Sequence, residues 1–270
     1  MKKISTILSI LFLVSLASMT FAIKVTEPVI REVNADDVID LGQIGPGQTI
    51  SIRLEPHVSE GGKFGQGGDY DLAVPMNLPD GWEGKQSKLY ERPLDVGITA
   101  AKDASEGEYI VKISVQDTND DKLNNVTFAV KIKITWNILD MTVSPEAISV
   151  GPGQPARYEI SITNKGTASD VFEVSSSGLK RWQYKKYVYV SAKSTKVVNY
   201  ELVENEEETY NPIISVVSQA SGIIKQEKQV GFQVKTNLRS DYKATNHGVL
   251  ILPTFESIVY SFMGLLSNFV

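Results

Sequence analysis

From Ile50 to Leu54 the chain alternates strictly, apolar Ile50, Ile52 and Leu54 against polar Ser51 and Arg53. A second alternation, Ala156, Tyr158, Ile160 and Ile162 against Arg157, Glu159, Ser161 and Thr163, stands about one domain further on. A period of two places one set of side chains on each face of a strand, so both read as half-buried β-strands. Each is preceded by the same short phrase, "IGPGQ" at Ile44–Gln48 and "VGPGQ" at Val150–Gln154. Proline presets φ for the corner of a turn and glycine reaches positive φ freely, so each phrase predicts a turn. Similar alternating runs recur at Tyr109–Gln116, Asn125–Thr135, Tyr187–Val190 and Pro212–Ser218, separated by turn signals. Helical periodicity is nearly absent before residue 250.

The repetition extends beyond the turns. An offset of 106 aligns Ile50, Ile52 and Leu54 with Ala156, Tyr158 and Ile160. Trp82 then pairs with Trp182, Tyr109–Val115 with Tyr210–Val216, and Val126, Phe128 and Val130 with Val230, Phe232 and Val234. Strands keep register while loops change length, so the chain reads as a duplicated all-β domain. About seven strands in about 100 residues predict an immunoglobulin-like sandwich. The expected organisation is a signal segment at 1–22, sandwiches at 23–137 and 138–237, a linker at 238–253 and an amphipathic helix at 254–270.

The stretch "ISVGPGQPARYEISITNKGTASDVFEV" resembles the opening of the α-galactosidase-associated type of Ig-like module in archaeal and bacterial secreted and surface proteins. Thr163, Asn164 and Gly166 supply its "TNxG" element. "LPDGWEG" and "LDVGITAAKDASEGEYIVKISVQD" resemble the later half of the same module. The first copy lacks "TNxG" and carries a Gly-rich insertion; the second lacks "PDGW" and "EGEY". The resemblance implies tandem extracellular accessory or structural modules and carries over no catalytic residue.

Composition narrows the chemistry. With no cysteine, disulfides, zinc–thiolate sites and cysteine nucleophiles are excluded. His57 and His247 are the only histidines and lie outside any nucleophile motif. "MKKISTILSILFLVSLASMTFA" has basic Lys2 and Lys3, an apolar run and a small-residue end, the pattern of a secretory signal cut after Ala22. Removing those two lysines from 27 basic residues leaves 25 against 32 acidic, a net of −7. Such a chain has no general attraction for nucleic acid.

Several local features point toward surfaces more than reactions. "SEGGKFGQGGDYD" at Ser59–Asp71 lacks the lysine–serine ending and helix of a phosphate loop, and predicts a long flexible loop available for contact. Asp117, Asn119 and Asp121 begin like a calcium loop, but Lys122 and Phe128 stand where glycine and an acid are needed. A hairpin tip is the expectation there. Asn125-Val126-Thr127 is a glycosylation sequon at the edge of that loop, making Asn125 a candidate modification site. "ENEEET" at Glu204–Thr209 predicts a solvated acidic loop. "KRWQYKKYVYV" at Lys180–Val190 predicts core and strand-face packing, with a glycan-binding aromatic–basic patch as the other reading.

At Pro253 the period changes. Phe255, Ile258, Val259, Phe262, Met263, Leu265, Leu266, Phe269 and Val270 fill one arc of a helix, with Glu256, Ser257, Tyr260, Ser261, Gly264, Ser267 and Asn268 opposite. Thr254 is placed to cap it. The helix is too short and too one-sided to span a bilayer, which needs ~20 apolar residues. It predicts docking through Phe255–Phe269 on a membrane interface, a membrane protein or a second copy. The expectation is therefore a non-catalytic exported surface protein or envelope-complex subunit, with no cofactor, no metal and no nucleic acid. The alternative is a secreted carbohydrate-binding or adhesion module whose partner is a glycan.

Overall fold

The computed structural model describes residues 22–119, 122–180 and 184–236, and all their regular structure is β-strand. Of the sequence expectations, the signal segment at 1–22 up to its last residue, Asp121, Trp182, the linker at 238–253 with His247, and the amphipathic helix expected at 254–270 lie outside the described residues. Two compact units form. The first takes residues 22–41, 51–98 and 109–132; the second takes 42–50, 99–108 and residues from 133 onward.

In chain order the first eleven strands are β1 (Ile23–Glu27), β2 (Arg31–Val33), β3 (Val38–Ile44), β4 (Thr49–Glu55), β5 (His57–Val58), β6 (Gly68–Asp69), β7 (Leu72–Met76), β8 (Glu83–Lys85), β9 (Leu94–Thr99), β10 (Gly107–Gln116) and β11 (Val126–Ile134). They order as β2-β1-β4-β9-β8 and β3-β11-β10-β7, with β5-β6 a separate hairpin. The alternation read from the sequence decides what is buried. Ile50, Ile52 and Leu54 of β4, Leu94, Val96 and Ile98 of β9, and Val111, Ile113 and Val115 of β10 are all without solvent exposure. Burying each such side chain contributes ~1.5–3 kcal/mol, and without disulfides this packing holds the fold. Trp82 closes the core beside Tyr109, ring centroids 5.1 Å apart.

The remaining strands are β12 (Leu139–Ser144), β13 (Ala147–Val150), β14 (Ala156–Asn164), β15 (Asp170–Ser177), β16 (Lys186–Val190), β17 (Ser194–Leu202), β18 (Thr209–Tyr210), β19 (Ile213–Ser218), β20 (Lys225–Gln229) and β21 (Gly231–Val234). They order as β12-β14-β17, β13-β21-β18 and β16-β15-β19-β20. The first strand is split, β12 joining β14 while β13 runs parallel to β21, an immunoglobulin-like arrangement. Tyr158, Phe172, Tyr200 and Phe232 are the large buried side chains of its core.

The same plan is present twice. Ile50–Leu54 and Ala156–Ile160 lie on the second core strand of each sandwich, and the Tyr109 and Tyr210 segments on equivalent later strands. The copies differ in β2 and the β5–β6 hairpin, found in the first sandwich alone among the described residues, and in one strand's sheet: β8 pairs with β9 in the first, whereas β16 pairs with β15 in the second.

The repeated phrase has a single geometry. Gln48 N donates to Gly45 O and Gln154 N to Gly151 O, both 3.1 Å, with Gly47 at φ 77° and Gly153 at φ 71°. Proline before a positive-φ glycine is a type II turn. The glutamine side chain then folds back, Gly45 N donating to Gln48 Oε1 at 2.9 Å and Gly151 N to Gln154 Oε1 at 3.1 Å. Both glutamines are buried, so the turn satisfies its own main chain. The Asn of "TNxG" acts similarly. Asn164, fully buried, accepts from Gly166 N at 3.0 Å and donates to Ala168 O at 2.8 Å.

Candidate functional site

In the first unit β4 and β10 end, and β7, β9 and β11 begin, at one end of the sandwich, so the loops at 56–71, 86–93 and 117–125 meet there. The Gly-rich insertion is more ordered than the flexible loop its composition predicts. Its ends pair as β5 and β6, His57 opposite Asp69 and Val58 opposite Gly68. Gly67 N donates to Gly61 O at 2.9 Å. Gly67 sits at φ 82°, and a Cβ there would meet Val58 O at 1.9 Å, so only glycine fits.

Buried Asp71 ties the three loops together. Its Oδ2 accepts from Thr118 N at 2.8 Å and Thr118 Oγ1 at 3.0 Å. Its carbonyl accepts Tyr90 N at 2.9 Å, and its own N–H donates to Gln116 O at 2.9 Å. Tyr70 is buried beside it and donates its hydroxyl to Asn124 O at 2.9 Å. Burial first, and the Asp117 carboxylate second, push the Tyr70 phenol above its usual range. Tyr90 Oη donates to Asn119 Oδ1 at 3.1 Å.

On this frame the exposed groups are aromatic and charged. Phe64 is 81% exposed at the tip of the insertion, with Leu89 at 51% and Tyr90 at 53% on the neighbouring loop. Asp69 joins two loops through its carboxylate, Oδ1 to His57 Nδ1 at 2.9 Å and Oδ2 to Arg92 Nη2. The sequence marks the insertion as a contact surface but gives no sign of Leu89, Tyr90 or Arg92. Tyr90 reaches φ 62°, a conformation that a tyrosine does not announce. A preformed surface of aromatic, glycine, asparagine and arginine residues suits binding.

The other candidates divide. Asp117 uses Oδ1 for Asn119 N at 2.9 Å and Oδ2 for Leu123 N at 3.0 Å, closing a hairpin tip with its own carboxylate. Among the described residues no group of three His, Asp or Glu side chains is arranged to hold a metal. Asn125 is exposed at the start of β11. The acidic run is not simply solvated. Glu204 is buried and accepts Lys180 N at 2.7 Å, while Glu206 and Glu208 hold Lys180 Nζ and raise its pKa. In "KYVYV" Val188 and Val190 enter the core, but Tyr187 and Tyr189 point outward at 59% and 55% exposure. Alternation predicts two faces there without saying which is wet.

No family model matches the sequence, and no curated protein matches it. Among solved structures the chain is similar to a chimeric titin Z1Z2 carrying a decorin peptide, at 11% identity and TM-score 0.36 over 81% of this chain and 99% of that one. It is similar to the D00-D0 domain of intimin at 14% identity and TM-score 0.25, over 78% and 98%. The CARDB domain of a Pyrococcus furiosus protein in complex with di-metal ions matches 36% of this chain and 91% of its own, at 22% identity and TM-score 0.26. At TM-scores this low, the strand order of the chain itself carries the fold assignment.

Proposed function

We propose that this chain is a non-catalytic, exported surface protein or envelope-complex subunit whose Ig-like modules are of the α-galactosidase-associated type. The three-loop end of the first unit is its contact surface for a partner, and the apolar arc Phe255–Phe269 holds it at the membrane or on a membrane protein. The observation that carries the reading is the exposed set Phe64, Leu89 and Tyr90, mounted on loops that Asp71 fixes in place. Its carboxylate hydrogen bonds serve the framework of the site, as do those of Asp117, which fits binding in place of proton transfer. The leader pattern at 1–22 and the one-sided tail support export and membrane docking.

Cell fractionation of the full chain and of a form lacking residues 255–270 tests this. The full chain is expected in the membrane fraction, released by detergent and not by high salt, because the tail's polar face carries no basic residue. The truncated form is expected in the soluble fraction with an unchanged β-type circular dichroism spectrum. A full chain that is soluble and monomeric without detergent refutes the docking role.

A further inference from the structure

We propose that the outer face of the β16-β15-β19-β20 sheet binds a uronate-bearing polysaccharide. This inference rests on the reading of the chain as exported, where it meets surface polymers.

The face is built from cross-strand rows. Tyr187 lies opposite Glu173, which lies opposite Val217, which lies opposite Lys225; Tyr189 lies opposite Val171. Partners directly opposite share one face of a sheet, so the tyrosines stand beside the apolar Val171 and Val217. Two residues along a strand place the rings roughly 6.6 Å apart. Tyr187 is oriented by its hydroxyl, which donates to Glu173 Oε2 at 3.1 Å. Exposed aromatic faces of this kind receive the C–H face of a sugar ring, burying apolar surface at little entropic cost.

Around the rings lysines outnumber acids. Lys185 stands at one end of β16 and Lys193 in the turn beyond its other end, where Lys193 adopts φ 50°. Lys196 lies along the open side, its Nζ donating to Tyr189 O at 3.4 Å. The acids on the face are already engaged, Glu173 by Lys185 at 2.7 Å and Glu227 by Lys225 at 3.1 Å. In a chain of net charge −5, this is a locally basic region that draws an anionic ligand.

Lysines on an edge strand discourage strand pairing, which accounts for Lys196 but leaves the outward tyrosines unexplained. A protein partner fits less well, since interface cores are depleted in lysine. A uronate carries a stackable ring and a carboxylate in the same repeat, matching rings and ammonium groups together.

Native affinity electrophoresis of the purified full chain tests the assignment, in gels containing polygalacturonate, dextran or polyphosphate. Polygalacturonate is expected to retard the protein and dextran to leave it unchanged. Tyr187→Ser with Tyr189→Ser, and separately Lys193→Glu with Lys196→Glu, should each weaken retardation about tenfold. The lysine pair is exposed, so it keeps the test valid if the tyrosine pair fails to fold. No retardation by polygalacturonate, equal retardation by dextran, or retardation by polyphosphate that survives the tyrosine changes would each overturn the proposal. None of these results alters where the chain fractionates in cells, so the two readings fail separately.

Discussion

Asp170 is 4% exposed, and its carboxylate gathers four donors. Oδ2 accepts Gln48 Nε2 at 2.7 Å and Ser218 Oγ at 2.5 Å; Oδ1 accepts Val171 N at 2.7 Å and Ala220 N at 3.3 Å. Within the second unit this carboxylate anchors the GPGQ turn at Gln48. Truncation leaves the buried donors Gln48 Nε2 and Ser218 Oγ without this acceptor, so Asp170→Ala should cost about 3 kcal/mol, read as a fall in the midpoint of thermal unfolding. An unchanged midpoint would show that the hub is dispensable. Tyr158 gives a pH test. It is wholly buried, donates to Gly231 O at 2.7 Å, and burial pushes its phenol up to about 12. Below pH 10 the phenol is neutral in both states and contributes no pH dependence. As pH rises from 10 toward about 12 the unfolded chain loses its proton and the folded one keeps it, so stability falls. Tyr70, Tyr200 and Tyr210 are raised in the same direction and add to the slope. Tyr158→Phe should flatten part of that alkaline loss in urea unfolding between pH 8 and 11.5; an identical slope would rule the phenol out.

At the scale of elements, Asp71 is the joint of the candidate site. Asp71→Ala should free Thr118 and destabilise the protein by roughly 1.5–3 kcal/mol, the worth of hydrogen bonds to a charged group. Limited proteolysis should then cut in the loop at 117–125 well before the wild type is cut there. Equal cleavage times would mean that the loops hold their places without it. The strands were legible because each needed only a period of two: Ile50–Leu54 and Ala156–Ile162 are buried as their alternation requires. The turns were legible from Pro46, Gly47, Pro152 and Gly153, though the return of Gln48 and Gln154 onto their own turns was not. Nothing local distinguishes a glutamine that closes a turn from one that faces water. The site was half legible. Glycines marked the insertion, but Leu89, Tyr90 and Arg92 reach it through the long-range pairing of β9 with β4, which no short window contains. Tyr187 and Tyr189 illustrate the same limit, because alternation is symmetric and only the partner sheet decides which side is core.

For the whole molecule, duplication explains why one turn, one core strand and one closing strand are each written twice. The copies differ at their surfaces. The first sandwich gained the β5–β6 hairpin and placed β8 beside β9; the second placed β16 beside β15 and turned two tyrosines outward. That division, a shared core with unlike surfaces, fits the proposal of two binding modules on one exported chain. The proposed function places these modules outside the cytoplasmic membrane. Trypsin added to intact spheroplasts of the source cells tests it most directly. Lys63 sits exposed in the hairpin turn beside Phe64, and Lys122 is exposed in the loop at 117–125. External protease is expected to cleave at these sites while a cytoplasmic marker stays intact; protection of the chain until the membrane is lysed would contradict that placement.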